Sequence, residues 1–294
     1  ITGASITTAS AYIADISTSE NRAKNFGLIG AAFGLGFIIG PVIGGLLGQY
    51  GPRVPFYAAA ILCMLNFLYG YFILPESLDK ENRRNFEWKR ANPIGAFLHL
   101  KKYPNLIGLI IAIFILYVGS HAVQSNWSFY TMYRFNWDER MVGISLGIIG
   151  LLVGLVQGVL IRWINPKIGN VKSIYIGFLL YTVGMFLFAF ATESWMIFLF
   201  LIPYCLGGIA GPALQAVVSE NVKPSEQGEI QGVLASLMSA SAIIGPPMMA
   251  YVFYFFTHED APFKFPGAPF VLGGTLMLVS TVLAYRTLRK NHRK

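Results

Sequence analysis

The chain has 294 residues, of which 55% are hydrophobic, 12% charged and 15% aromatic, with a net charge of +8. Soluble domains average about 25% charged residues, so this composition excludes an ordinary soluble enzyme. The basic residues lie between and after apolar blocks, not along one soluble face, which argues against a nucleic-acid binder.

Nine apolar blocks follow one another, most of them close to the roughly 20 residues a helix needs to cross a bilayer. They are Ile1–Ile16, Phe26–Leu47, Phe56–Leu74, Leu106–Val123, Val142–Ile161, Ser173–Ala191, Trp195–Ser219, Gly228–Phe256 and Ala268–Tyr285. The expected fold is all-α and membrane-embedded. Cys63 and Cys205 sit inside these blocks without metal-ligand spacing and read as small buried hydrophobes. Between the third and fourth blocks runs a basic stretch with Trp88, Phe97 and Leu98, expected to lie partly as an amphipathic helix on the membrane surface.

Sorting Lys and Arg by alternate loops places 18 of the 22 on one side, together with the C-terminal tail. The positive-inside rule assigns that side, and the C-terminus, to the cytoplasm.

An internal repeat is present. Ile38-Ile39-Gly40-Pro41 recurs as Ile243-Ile244-Gly245-Pro246, an offset of 205 that also maps Gly3 on Gly208, Asp15 on Glu220 and Gly27 on Gly232. The first two blocks thus echo the seventh and eighth, which implies a parent of two six-helix halves in parallel repeat. On that reading three helices precede Ile1, and the chain alone is expected not to transport. The expected division is 1–74 for the last three helices of the first half, 75–104 for the linker and 105–294 for the second half.

Several stretches resemble one family: Ala11-Tyr12-Ile13-Ala14-Asp15-Ile16, Arg22-Ala23, Phe26-Gly27-Leu28, Gly40-Pro41 with Gly44-Gly45, Arg134-Phe135-x-Trp137, Pro212-Ala213-Leu214-Gln215-Ala216, and Gln227-Gly228-x-x-Gln231-Gly232. They look like the tetracycline-efflux antiporters of the drug:proton branch of the major facilitator superfamily. The resemblance implies helices four to twelve of a twelve-helix fold in a bacterial inner membrane. It also implies export of a hydrophobic drug-like compound in exchange for protons by alternating access. Its partners would be a small-molecule substrate, protons and the lipid bilayer, with no cofactor, metal or nucleic acid, and a monomeric state. The same fold supports a sugar or metabolite transporter; a non-transporting fragment or a membrane-embedded enzyme are readings from other classes. No hydrolytic motif, metal constellation or phosphate-binding loop favours the enzyme.

Polar residues within spans are costly and point to a pathway. His121, Gln124, Trp127, Gln157, Tyr181, Gln215 and Gln231 are the candidate substrate-binding residues, though each Gln could equally serve as an interhelical hydrogen-bonder. Proton coupling is expected to depend on an acid in the preceding helices, with His121, the one histidine within a span, as the fallback and visible candidate, and a neutral structural role as its alternative. Gly36, Gly40, Gly44 and Gly48 recur every fourth residue, on one helix face where backbones can approach closely. By resemblance they and Pro41 form a gating motif, repeated around Gly232, Gly245 and Pro246. Asp15 and Arg22, with Glu220 in the second half, would be gate charges by the same resemblance, or simple helix-end charges. One departure stands out. In Gly177-Phe178-Leu179-Leu180-Tyr181, Tyr181 occupies the place of the family's Asp, and none of the 14 acids lies mid-span.

Overall fold

The computed structural model of the chain describes residues 12, 16, 32, 35, 36, 39–76, 106–221, 227–261 and 263–291. At Arg162, Pro166, Gln215, Ser219, Glu220, Gln227, Glu229, Gln231 and Lys290 only the helical backbone is described. Asp15 and Arg22 lie outside the described residues. The protein is helical, and among the described residues six helices are long and apolar enough to cross a membrane. Contacts divide the chain into two compact units, Ile1–Arg90 with Glu139–Leu151, and Ala91–Asp138 with Leu152–Lys294.

The first unit contains α1 (Ile39–Gly48) and α2 (Val54–Phe72). A turn at Gly51, whose φ of +134° favours glycine, separates them, and Pro55 sits in the first turn of α2. No side chain of α2 is buried, and Phe56, Ile61, Leu65 and Phe72 leave it apolar all round. A helix of that pattern belongs in lipid or deep in an assembly. Cys63 is therefore exposed on α2, against the buried position expected for it, whereas Cys205 is buried. The first turns of α4 (Glu139–Leu155) pack on α1.

The second unit is built on α3 (Ile107–Phe135). The expected span stopped at Val123, but the helix continues for three more turns. Gln124, Ser125 and Asn126 lower the hydropathy without breaking a helix. The stop comes at Asn136, which adopts the left-handed conformation (φ 53°) that asparagine tolerates. This explains the Arg134-Phe135-x-Trp137 stretch structurally. Arg134 Nε donates to the Ala191 carbonyl at 3.3 Å, and Trp137 Nε1 donates to Ser194 Oγ. The end of α3 is thereby tied to the turn between α6 (Asn170–Ala189) and α7 (Ser194–Leu206).

After α4 the chain passes through one π-helical turn, Val156–Leu160, into α5 (Ile161–Ile168). A 3-10 turn, Gly207–Ile209, joins α7 to α8 (Ala210–Glu220). The last two helices are α9 (Gln227–Phe255) and α10 (Ala268–Asn291). Against α3 pack α9 and α10, while α6 packs on α10, α7 and α8.

Small residues set these distances. A Cβ at Gly119 of α3 would lie 3.0 Å from the Gly273 carbonyl of α10, and one at Gly273 would lie 2.9 Å from the Gly119 carbonyl. Ser280 adds a 2.7 Å hydrogen bond to the Ala112 carbonyl across the same pair. Beyond them Trp127, Tyr130, Phe188 and Phe270 form an edge-to-face cluster, with Tyr130 and Phe270 centroids 4.7 Å apart. Tyr130 Oη donates to the Phe188 carbonyl at 2.5 Å. Tyr130→Phe keeps the ring and removes one interhelical hydrogen bond, so thermal unfolding in detergent should show a loss of about 0.6 kcal/mol.

Candidate functional site

The second unit encloses a cavity of about 490 Å³, bounded by Leu116 and Tyr117 of α3, Gln157 of the π turn, Pro212 and Leu214 of α8, and Leu234 of α9. Its volume lies in the range of pockets for drug-sized ligands, and its wall is mostly apolar with a few polar groups, the usual composition of such pockets. The polar groups are Gln157 and Tyr117. Neither side chain makes a hydrogen bond to any described residue, so the carboxamide and the hydroxyl are both open to a ligand or water.

Gln157 owes its position to the π turn, a feature that recurs at functional sites because the widened turn re-aims a side chain. It faces the 3-10 turn, where a Cβ at Gly208 would lie 3.4 Å from Gln157 Nε2. The sequence reading singled out Gln157 and passed over Tyr117. Tyr117, His121 and Gln124 recur at four- and three-residue intervals on one face of α3, and that polar stripe was the available signal.

The other candidates are distributed differently. His121, one turn beyond Tyr117 and 8% exposed, lies under α9, where a Cβ at Gly245 would fall against the His121 ring, with Cγ 2.6 Å away. Its ring nitrogens make no hydrogen bond among the described residues, while its backbone carbonyl accepts from Ser125 Oγ. Gln124 is exposed, with Nε2 donating to Ser120 Oγ at 3.4 Å. Trp127 belongs to the aromatic cluster and not to the cavity wall. Tyr181 covers Gly207, where a Cβ would lie 2.6 Å from its Cγ, and meets Tyr204 at a centroid distance of 5.3 Å. This ring is thus a spacer between α6 and the α7–α8 junction, reinforced by Gly177 against Ala210 and Gly184 against Tyr204. The side chains of Gln215, Gln231 and Glu220 lie outside the described residues.

The glycine row has its one close described neighbour at Gly48. A Cβ at Gly36, Gly40 or Gly44 meets nothing within 4 Å among the described residues. The close approach is one face over. There a Cβ at Gly45 would lie 2.8 Å from the Glu139 carbonyl and from Gly143 Cα, and one at Gly143 would lie 2.6 Å from the Pro41 carbonyl. Gly48 meets the Glu139 side chain at 3.0 Å. Gly45→Leu should therefore destabilise by about 1–3 kcal/mol through overpacking, while Gly40→Ala should be close to neutral in the same unfolding assay. In α9, Gly232 likewise has no described neighbour within 4 Å of a Cβ, and Pro246 follows the buried Gly245.

Among the described residues no group of three or more His, Cys, Asp or Glu could hold a metal ion. The loop carrying His258, Glu259 and Asp260 is organised by Lys264, whose Nζ donates to the carbonyls of Thr257, His258 and Glu259 at the end of α9.

Compared with known proteins, the chain matches the family model of the Major Facilitator Superfamily over residues 1–169 and 163–294. The class C tetracycline resistance protein of Escherichia coli is 37% identical over 95% of this chain and 69% of its own length. The class E protein of the same organism is 37% identical over 96% of this chain and 69% of its own. Among solved structures, a human organic anion transporter matches at a TM-score of 0.65 and 24% identity, covering 94% of this chain and 66% of that one. A nucleoside transporter matches at 0.68 and 18%, covering 90% and 68%. These two share the fold.

Proposed function

This chain belongs to the major facilitator superfamily of multi-pass membrane transporters, and from that premise we propose that the full-length transporter exports flat, hydrophobic drug-like compounds in exchange for protons, by alternating access in a bacterial inner membrane. The observation that carries the proposal is the cavity of about 490 Å³ with the open Gln157 carboxamide and Tyr117 hydroxyl in an otherwise apolar wall. Such a wall suits a flat aromatic compound, whose rings gain from leaving water and whose few polar atoms need a donor and an acceptor. The relatives named for tetracycline resistance support a drug as the cargo.

None of the 14 acids of this chain lies mid-span, and this refines the cargo. A charge at a helix centre costs about 2.5–3.5 kcal/mol on insertion scales, and an acid in the pathway offsets that for a cationic cargo. Tyr181, in that acid's place, is neutral and packed against Gly207, so it brings no charge to the pathway. Neutral or weakly charged aromatics are therefore the preferred substrates over a cationic metal–tetracycline complex. Within this chain the candidate carrier of the coupling proton is His121, whose ring lies against Gly245 of the repeated Gly-Pro motif, so its charge would bear directly on the α3–α9 contact.

Resistance profiling of a susceptible host tests this reading. The gene should raise tolerance to neutral aromatic compounds more than to tetracycline in excess magnesium. Strong tetracycline resistance, unchanged by Tyr181→Asp, would refute the substrate assignment. His121→Gln should leave compound binding in place and remove the dependence of transport on the pH gradient.

A further inference from the structure

A second cavity, of about 710 Å³, opens in the same unit between the start of α6 and the end of α10. Its wall includes Asn170, Lys172 and Tyr175 of α6, Val217 of α8, and Tyr285 and Arg289 of α10. No acidic side chain is among the described residues lining it. Lys172 and Arg289 thus bring two cations from two different helices to one wall.

The cations are placed for a purpose other than packing. Arg289 lies over the Tyr285 ring, 5.8 Å from its centroid, and its Nη1 donates to the Tyr285 hydroxyl at 3.2 Å. That contact holds the guanidinium at the mouth with most of its donors unspent. Tyr175 and Tyr285 stand 5.4 Å apart and form an aromatic floor. The start of α6 has no side-chain cap from Gly169, so the positive end of the helix faces the same opening. Lys172 and Arg289 belong to the 18 basic residues that the loop sorting assigns to one side, and if that side faces the cytoplasm the tyrosines lie at headgroup depth.

The geometry points to this cavity as a binding site for the headgroup of an anionic membrane phospholipid. The phosphodiester is held between Lys172 and Arg289, and the acyl chains run down the apolar side past Val217. Arginine's planar fork matches phosphate oxygens, and lysine supplies a compact second charge. Basic pockets between membrane helices on the cytoplasmic side take such lipids. The site is separate from the cavity at Gln157, so it serves to anchor α6 and α10 and not to carry cargo.

The test uses the purified 294-residue chain in nanodiscs of phosphatidylcholine with and without phosphatidylglycerol, read by native mass spectrometry. The wild-type chain should retain phosphatidylglycerol in preference to phosphatidylcholine. Lys172→Gln with Arg289→Gln should weaken that retention by about tenfold or more, since two charge-assisted contacts are lost. Arg53→Gln with Arg140→Gln removes the same charge elsewhere and should leave retention unchanged. A photo-crosslinkable phosphatidylglycerol bound to the wild-type chain should label peptides of α6 and α10, which keeps the test decisive should the double variant misfold. Equal retention by the Lys172–Arg289 variant, or labelling confined to other helices, would overturn the assignment. Displacement of the lipid by millimolar inorganic phosphate would overturn it too, in favour of a soluble anion.

Discussion

Replacing Gly245 by leucine should lower stability by about 1–3 kcal/mol through overpacking and abolish export while leaving membrane insertion intact. The reason is the occupant of that space. Even a single carbon at Gly245 falls against the His121 ring, with His121 Cβ 2.8 Å and Cγ 2.6 Å away. Neither element can give way cheaply. His121 is held in the middle of a 29-residue helix that packs on α10 as well as α9. Pro246 and Pro247 follow Gly245 directly, so the backbone of α9 has lost two hydrogen-bond donors at that point and is already the place where the helix can bend. A bulky residue there pries α3 from α9 at their shared turn. Gly232→Ala is the control, because a Cβ at Gly232 meets no described atom within 4 Å. In a helix interior that change should be neutral or stabilising by up to about 1 kcal/mol. Thermal unfolding of both variants in detergent checks the pair, and equal loss in the two would contradict the contact.

Gln157→Leu should weaken binding of an aromatic cargo by about fivefold, the equivalent of one net hydrogen bond of about 1 kcal/mol. The effect should appear in affinity and not in folding, because Gln157 makes no hydrogen bond to the described protein and leucine is cheaper than glutamine inside a membrane. Tyr117→Phe removes the other open polar group and should give a smaller loss, since the ring remains in the wall. If the two groups hold one ligand at once, the double variant should lose more than either single change. Equilibrium binding in nanodiscs, followed by quenching of protein fluorescence, gives the affinities. Unaltered affinity in both variants would move the binding site elsewhere.

Six apolar spans among the described residues were legible in the sequence because bilayer thickness imposes a length and a composition that no turn residue has to announce. What hydropathy could not show was where helices continue past the apolar part. The expected end at Val123 fell where polarity rose, whereas α3 ends where the backbone turns, at Asn136. The four-residue spacing of the glycines on α1 was correctly seen as a row, but spacing names a face without saying which neighbour covers it. Gly45, beside the row, and Gly48, at its end, are the residues that meet α4. At the candidate site Gln157 was visible as a polar residue in an apolar block. The π turn that aims it was not, since it arises from local backbone geometry with no marker residue. Tyr181 and Trp127 show the converse. Both are aromatic and within spans, and both were read as surfaces for a ligand, yet each fills a helix contact.

The most direct measurement is accumulation of a fluorescent, neutral aromatic compound in everted vesicles from cells expressing the full-length gene, under an imposed pH gradient. Accumulation should follow the gradient, collapse with a protonophore, fall with Gln157→Leu and lose its gradient dependence with His121→Gln. Accumulation absent under the gradient, or present and indifferent to both the protonophore and Gln157→Leu, would contradict proton-driven export through this cavity.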